Sequence, residues 1–205
     1  MTPTSQPAPH KPTVLIIGDS ISMESIGYFD KLNERLSGRY ELVHNPGNGG
    51  DTRNVLGHLD EWVTAYKPDI IHFNCGLHDL RTNFDETKQQ VPPEEYEHNL
   101  QEIVNYLKTR TKARLVFALS TPTNEQWHKS KGTDRLKVNV DLYNEIARRV
   151  MTQNKITIND LHSLVVHAGV NDCLVPDGVH MNENGKTLCA DAVAAAIERA
   201  AKIKR

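Results

Sequence analysis

Five predicted strands, separated by segments with helical spacing, constrain the fold more than any other feature of the sequence. The clearest is Val14-Leu15-Ile16-Ile17, a continuous aliphatic run typical of a strand buried on both faces. The predicted strands cover residues 14–17, 40–44, 69–75, 114–120 and 156–158. Because strands that alternate with helices favour a parallel sheet covered on both faces, the sequence predicts an α/β fold with a five-stranded parallel sheet.

Apolar residues at intervals of three and four predict a helix after each strand. The predicted helices lie near residues 21–36, 55–66, 92–107, 136–150, 161–166 and 183–202. A long loop, residues 121–133, precedes the fourth of them. The first helix would begin directly after Ser20, which places backbone N–H groups and the positive end of a helix dipole near that side chain.

The length of the chain, 205 residues, suits one hydrophobic core and is short for two domains, so residues 13–205 are predicted to form a single domain. Residues 1–12 are rich in proline and contain no apolar stretch, which predicts a disordered leader rather than a signal peptide or an anchor. A cytoplasmic protein and an exported one whose signal has been removed both fit this pattern. The oligomeric state stays open.

Charge and cysteine content exclude several classes of protein. A formal net charge of −2 at pH 7 gives no general attraction to nucleic acid or to an anionic membrane, so neither is a predicted partner. Three cysteines, Cys75, Cys173 and Cys189, cannot all pair, and their spacing matches no zinc site. The sequence therefore predicts neither a disulfide framework nor a structural metal.

Four loops at predicted strand ends are candidates for the functional site, because ligands of open α/β sheets bind beyond the carboxyl ends of the strands. They cover residues 18–20, 46–52, 76–79 and 120–122. Glycines in the second loop allow the backbone to approach a ligand closely. We expect the four loops to converge on one rim of the sheet.

Ser20, Asp177 and His180 carry the groups of a nucleophilic serine site. A serine hydroxyl needs a base, and an imidazole serves best when a carboxylate fixes its tautomer. Asp177 and His180 supply both groups within one turn of chain, just before the last predicted helix. Two plainer interpretations stay open here: Ser20 as a helix N-cap, and the other two as a loop aspartate beside a surface histidine.

Four short blocks resemble those of the SGNH (GDSL-type) hydrolase family: Gly18-Asp19-Ser20-Ile21-Ser22, Gly50-Asp51-Thr52, Gly76-Leu77-His78-Asp79 and Asp177-Gly178-Val179-His180. They follow the family's order, and the resemblance spans about residues 13–200. It implies a flavodoxin-like, three-layer α/β/α sandwich and a serine esterase that needs no cofactor and no metal. It further implies Ser20 as nucleophile, His180 as base, Asp177 as the residue that orients it, and the N–H groups of Ser20 and Gly50 as oxyanion donors.

The third block departs from the family's usual Gly-x-Asn-Asp, because His78 stands where that asparagine donates to the oxyanion. An imidazole can also donate through a ring N–H, so His78 can take this role with a different geometry and pH dependence. Residues 72–80 are similar to a subgroup of the family, common among bacterial carbohydrate esterases, that carries histidine here. The alternative is that His78 only packs beneath the rim.

Five further residues flank the predicted site. Asp19 and Asp79 are interpreted as acids that accept backbone hydrogen bonds and hold loops, and Asp19 is also a candidate substrate contact. Arg53 and Arg81 follow the second and third blocks, where each can contact a polar substrate or pair with a neighbouring carboxylate. Trp127, on the long loop, can stack on a sugar ring or cover apolar surface beside the cleft.

The predicted function is hydrolysis of short-chain esters, with acetyl groups on a carbohydrate as the preferred substrate, through an acyl-enzyme. No long apolar segment offers a lid or a tunnel for a long acyl chain, and the carbohydrate follows from the subgroup resemblance. The alternatives are a short-chain lipolytic esterase of lysophospholipase type, an acyl-thioesterase, and a carbohydrate-binding relative without hydrolytic activity. A metal-dependent hydrolase built on His72, His78, Asp79 and His180 is a further alternative, although their spacing matches no recurring ligand pattern.

Overall fold

The computed structural model describes residues 11–83, 88–128, 133–135 and 137–203, so most of the predicted leader lies outside the described residues. The strands within this part are Thr13–Ile17 (β1), Glu41–His44 (β2), Ile70–Phe73 (β3), Thr82–Asn83 (β4), Arg114–Ala118 (β5), Thr133–Asp134 (β6) and Thr157–Asn159 (β7). Five of them form one sheet in the order β2-β1-β3-β5-β7, and all its pairs are parallel. The predicted five-stranded parallel sheet is confirmed.

The helices cover both faces of this sheet. Their bounds are Phe29–Leu36 (α1), Thr52–Tyr66 (α2), Pro93–Arg110 (α3), Glu125–His128 (α4), Lys137–Gln153 (α5), Leu161–Ala168 (α6), Val170–Cys173 (α7) and Glu183–Lys202 (α8). The connection from β1 to β2 runs in one direction along the sheet and the later connections run in the other, so right-handed crossovers place α1 opposite α2, α3 and α5. The contacts agree, because α1 packs on α8, α2 on α3, and α3 on α5.

The segment after Ser20 corrects one prediction. Helix α1 begins at Phe29, not directly after Ser20, and residues 19–28 form turns. Ser25 has a left-handed φ of 65°, which breaks a continuous helix, and Ile26 is 48% exposed although the predicted helix would have buried it. Because no helix starts at Ser20, the expected helix dipole does not act on its side chain.

Two further differences concern short elements. Strands β4 and β6 pair antiparallel and form a small second sheet, which the sequence did not predict. Helix α4 lies inside the segment predicted as a long loop, of which residues 129–132 lie outside the described part. The pairing of β4 with β6 places residues 133–134 beside residues 82–83, which follow the third block, residues 76–79, along the chain.

The core of the sheet contains one buried imidazole. His72 in β3 is fully buried, and its Nε2 lies 3.3 Å from Asn159 Nδ2. Burial lowers the pKa of His72 to about 4, so the ring is neutral at pH 7. The three cysteines are buried and unpaired, as expected of small hydrophobic residues. None of the described helices is long and apolar enough to cross a membrane.

Candidate active site

Backbone hydrogen bonds bring three strand-end loops together at one rim. Gly49 N–H donates to Gly18 O at 2.9 Å, which fixes the glycine-rich loop against the turn before Ser20. Gly18 N–H donates to Asn45 Oδ1 at 2.8 Å, and Asn74 N–H donates to Ile17 O at 2.9 Å. The loops after β1, β2 and β3 therefore share one edge of the sheet, as predicted for these three of the four loops.

Ser20, His180 and Asp177 are joined by two hydrogen bonds. Ser20 Oγ lies 2.8 Å from His180 Nε2, and His180 Nδ1 lies 2.5 Å from Asp177 Oδ2. A carboxylate only accepts, so Nδ1 carries the ring proton and Nε2 is left to accept the proton of the serine hydroxyl. This is the tautomer that a general base for Ser20 needs.

The Asp177 carboxylate is held by its own loop. Its Oδ1 accepts the N–H groups of Val179 at 2.8 Å and of His180 at 2.9 Å. Burial by itself would raise the pKa of Asp177, but these bonds and the His180 ring keep that pKa below its ordinary value. Asp177 is therefore ionised at pH 7 and can stabilise an imidazolium on His180.

The turn that carries Ser20 is built on Asp19, which is 2% exposed. Its Oδ1 accepts Ile21 N–H at 2.9 Å, and its backbone oxygen accepts the N–H groups of Ser22 at 3.0 Å and Met23 at 3.2 Å. These contacts hold the loop, as one interpretation of Asp19 predicted. A substrate contact for Asp19 stays a prediction.

Two backbone N–H groups are candidate donors to an oxyanion. Within the described part of the chain, Ser20 N–H has no acceptor. Gly50 has a left-handed φ of +62°, and its N–H donates to Asn48 Oδ1 at 2.9 Å. Asn48 is exposed, so a substrate carbonyl can replace its amide oxygen at Gly50 without removing a buried group.

His78 faces the same turn from the third block. Its Nε2 lies 3.9 Å from Asp19 Oδ2, too far for a hydrogen bond. Burial lowers the pKa of His78, and the positive charges of Arg135 and Arg81 lower it further, against the raising effect of Asp19. His78 is therefore a neutral imidazole at pH 7, which has one N–H to donate. Its role as oxyanion donor stays a prediction.

Asp79 fastens the turn of His78 to the start of α2. Its Oδ1 accepts Thr52 N–H at 2.9 Å and Thr52 Oγ1–H at 2.6 Å, and Asn99 Nδ2 donates to Thr52 Oγ1 at 3.0 Å. Asp79 Oδ2 is buried and has no partner within the described residues. Burial raises the pKa of Asp79 to about 7, against the lowering effect of the bonds from Thr52.

We expect Asp79→Asn to gain stability relative to the wild type as the pH rises from about 4 to 7. In this window the folded wild type binds a proton that the unfolded chain has lost, so its free energy of unfolding falls with pH. The difference between the two proteins grows by up to about 1.4 kcal/mol per pH unit. Urea unfolding at several pH values measures it.

His72→Leu is the control of opposite sign. Because the pKa of His72 is lowered from 6.5 to about 4, the folded wild type binds fewer protons than the unfolded chain between these values. The free energy of unfolding of the wild type therefore falls as the pH falls from about 6.5 to 4. The stability of His72→Leu relative to the wild type rises over the same fall in pH. Curves for Asp79→Asn and wild type that run parallel from pH 4 to 7 would contradict the shift at Asp79.

The other candidate substrate contacts have protein partners. Arg53 donates to both oxygens of Glu95, at 2.5 and 2.6 Å, on the surface. Arg81 donates to the Gln90 side chain. Trp127 lies in α4, half-buried and packed against the core. Substrate contacts of Arg53, Arg81 and Trp127 stay predictions.

Arg135 and His128 were missed by sequence reasoning. Both are buried beside the Asp177 loop and the His78 turn. A lone arginine and one of ten histidines, in a segment without helical or strand spacing, gave no signal that could have singled them out.

The metal-dependent alternative lacks a set of ligands in the described part of the chain. There, no group of three or more histidine, cysteine, aspartate or glutamate side chains could hold a metal ion. His72 lies inside the sheet against Asn159, and His180 is bonded to Asp177 and Ser20. The four residues of that hypothesis therefore face different neighbours.

A serine, a histidine and an aspartate joined in this way at the rim of a parallel sheet are typical of serine hydrolases. The sequence model of the GDSL-like lipase/acylhydrolase family matches residues 16–188. The chain belongs to this family and is an ester hydrolase.

Two mammalian relatives carry one name, isoamyl acetate-hydrolyzing esterase 1 homolog. The rat protein is 27% identical over 198 residues, which cover 85% of this chain and 76% of the relative. The human protein is 25% identical over 189 residues, with the same coverage of 85% and 76%.

Solved structures share the fold. A lipase/acylhydrolase from Enterococcus faecalis superposes with a TM-score of 0.78 at 16% identity, covering 92% of this chain and 96% of that one. A catalytic mutant of an acetylxylan esterase from Geobacillus stearothermophilus gives 0.72 at 18% identity, covering 95% and 96%. At these identities the likeness establishes the α/β/α architecture.

Proposed function

We propose that the protein hydrolyses short-chain esters, with acetate as the acyl group and a carbohydrate hydroxyl as the alcohol. The observation that carries this proposal is the linked pair of contacts from Ser20 Oγ to His180 Nε2 at 2.8 Å and from His180 Nδ1 to Asp177 at 2.5 Å. It supplies a nucleophile, a base in the required tautomer, and a carboxylate that orients the base.

In the acylation step, Ser20 Oγ attacks the ester carbonyl carbon while His180 Nε2 takes its proton. The negative charge then lies on the former carbonyl oxygen, and the N–H groups of Ser20, Gly50 and His78 stabilise it. When this intermediate collapses, His180 gives its proton to the leaving alcohol oxygen. The acyl group remains on Ser20 as an ester.

Deacylation repeats the sequence with water. His180 Nε2 removes a proton from a water molecule, whose oxygen attacks the acyl carbonyl on Ser20. The tetrahedral intermediate again places its charge on the same donors. His180 then returns the proton to Ser20 Oγ, which releases the carboxylic acid and restores the enzyme.

The acyl group and the alcohol have different support. Acetate appears in the name of the two mammalian relatives, and acetylxylan appears in the names of several structural neighbours. A small aliphatic alcohol and a sugar hydroxyl are thus both candidates for the leaving group. Residues 72–80 resemble carbohydrate esterases, and Trp127 lies beside the loop that carries Asp177 and His180. Both features favour a sugar hydroxyl as the leaving group.

Hydrolysis of p-nitrophenyl acetate, butyrate and octanoate tests the acyl group, and hydrolysis of acetylated xylooligosaccharides against isoamyl acetate tests the alcohol. We expect kcat/KM to fall with chain length and to be higher for the acetylated sugar. A preference for octanoate would instead support a lipolytic esterase. A preference for an acetyl thioester would support a thioesterase, and affinity for sugar without turnover would support a carbohydrate-binding protein.

We expect His78→Ala to lower kcat for p-nitrophenyl acetate by about 10²–10³, the usual loss when one oxyanion donor is removed. Steady-state kinetics measure this loss. KM should change little, because the charge that His78 stabilises develops only in the transition state.

His78→Asn is the matched variant, since an asparagine amide can donate at the same position. It should retain kcat within about tenfold of the wild type, because one donor replaces another. If His78→Ala were as active as His78→Asn, His78 would be a packing residue and the oxyanion would depend on backbone donors alone.

A further inference from the structure

Arg135 contacts the turn that carries His78. The side chain is 9% exposed, and its Nε–H donates to Leu77 O at 2.8 Å, the carbonyl directly before His78. Its backbone oxygen accepts Thr123 Oγ1–H at 2.7 Å, so the residue is held at both ends. The Arg135 guanidinium therefore contacts the backbone of the turn that carries His78.

His128 links Arg135 to the loop that carries Asp177 and His180. Arg135 Nη1 lies 3.1 Å from His128 Nε2, and His128 Nδ1 lies 3.0 Å from Asp177 O. A guanidinium only donates and a carbonyl only accepts. The His128 ring must therefore be neutral, with its proton on Nδ1. The result is a continuous hydrogen-bonded chain from Leu77 O through Arg135 and His128 to Asp177 O.

Helix α4 meets the same loop through its backbone. Asn124 N–H donates to Gly178 O at 2.8 Å. Gly178 has a left-handed φ of +76°, and a Cβ there would overlap Asn124 O and lie 2.9 Å from His128 N. The loop that carries Asp177 and His180 thus lies directly on α4, without space for a side chain between them.

We propose that Arg135 and His128 are positioning residues that hold the Asp177 loop at a fixed place relative to the His78 turn. The base and the expected oxyanion donor lie on two separate loops, and small displacements of reacting groups lower rates strongly. The contacts through Arg135 and His128 join these loops directly. This inference rests on the proposed roles of Ser20, His180 and Asp177.

The test compares Arg135→Met, His128→Leu and the double variant in hydrolysis of p-nitrophenyl acetate. Each single variant should lower kcat by about tenfold with KM within about threefold, since a misplaced base acts on the transition state. The double variant should lose no more than the worse single variant, because either change breaks the same chain. Arg149→Met, which removes an exposed arginine paired with Glu97, is the control and should keep kcat within about twofold.

Two conservative variants keep the test decisive if Arg135→Met does not fold. His128→Asn can still donate to Asp177 O but loses the acceptor for Arg135, whereas His128→Gln can accept from Arg135 but loses the donor to Asp177. Both should lower kcat by about tenfold, because the chain works only when both halves are present. A packing role would lower Tm and leave kcat unchanged in both.

Three results would overturn the proposal. Losses that multiply in the double variant would mean that the two residues act independently. A higher KM with unchanged kcat in Arg135→Met would mean that this guanidinium binds substrate. Full kcat in all variants would mean that the contacts do not position the base. Ser20→Ala, measured alongside, separates this failure from failure of the proposed function: if it retained wild-type activity, both would fall.

Discussion

We expect Ser20→Ala to lose essentially all esterase activity, with kcat falling by about 10⁴–10⁶. Without the hydroxyl there is no nucleophile for His180 to activate and no acyl-enzyme can form, so only the oxyanion donors and binding remain. Hydrolysis of p-nitrophenyl acetate by purified wild type and variant measures this loss. The fold should be retained, because Ser20 is only half-buried and its side chain contacts His180.

Ser22→Ala is the matched control for this variant. Ser22 Oγ also lies 2.8 Å from an imidazole, His44 Nε2, but His44 Nδ1 faces the Asn45 carbonyl at 2.8 Å instead of a carboxylate. Ser22 is also 3% exposed, so no substrate can reach it. Its variant should keep kcat within about tenfold. Equal losses at positions 20 and 22 would contradict the assignment of the nucleophile.

We expect Asp177→Asn to lower kcat by about 10⁴ while leaving the fold intact. An asparagine can donate its amide N–H to His180 Nδ1, which places the ring proton on Nε2 and leaves Ser20 without a base. KM for p-nitrophenyl acetate should change little, because Asp177 does not bind the ester in the proposed mechanism. Steady-state kinetics above pH 7, where the wild-type carboxylate is ionised, measure the loss.

Asp172→Asn provides the comparison for Asp177→Asn. Asp172 is an exposed aspartate in α7, five residues before Asp177, and it lies outside the hydrogen bonds of the site. Its replacement should leave kcat within about twofold, as is usual for a surface position. If both variants lost activity equally, the effect at Asp177 would reflect damage to this region instead of a wrong tautomer at His180.

The parts of the fold that follow from local patterns could be predicted from the sequence. Helix α8 begins and ends at the predicted residues, because Asn182 caps its first turn and an alanine-rich stretch continues it. Strand β1 is buried throughout, as its four aliphatic residues indicate. Asp177 and His180 are three positions apart, so a local turn suffices to join them, and the rule for strand-end loops places Ser20 at the same edge.

The parts that depend on contacts between distant segments could not be predicted. The spacing of Ile26 and Phe29 suits a helix, but the hydrogen bonds of the Asp19 turn and the left-handed Ser25 determine the chain before Phe29. The pairing of β4 with β6 joins segments about fifty residues apart. The contacts of Arg135 with Leu77 and His128 arise only after that pairing, and no pattern near Arg135 encodes them.

Covalent labelling tests the central claim, that His180 and Asp177 make Ser20 a nucleophile, most directly. The wild-type protein is treated with diethyl p-nitrophenyl phosphate, and mass spectrometry of its peptides locates the diethylphosphoryl group. We expect one label per chain on Ser20, no label in Ser20→Ala, and labelling slowed by about 10⁴ in Asp177→Asn. A label on another residue, or equal labelling of wild type and Ser20→Ala, would contradict it.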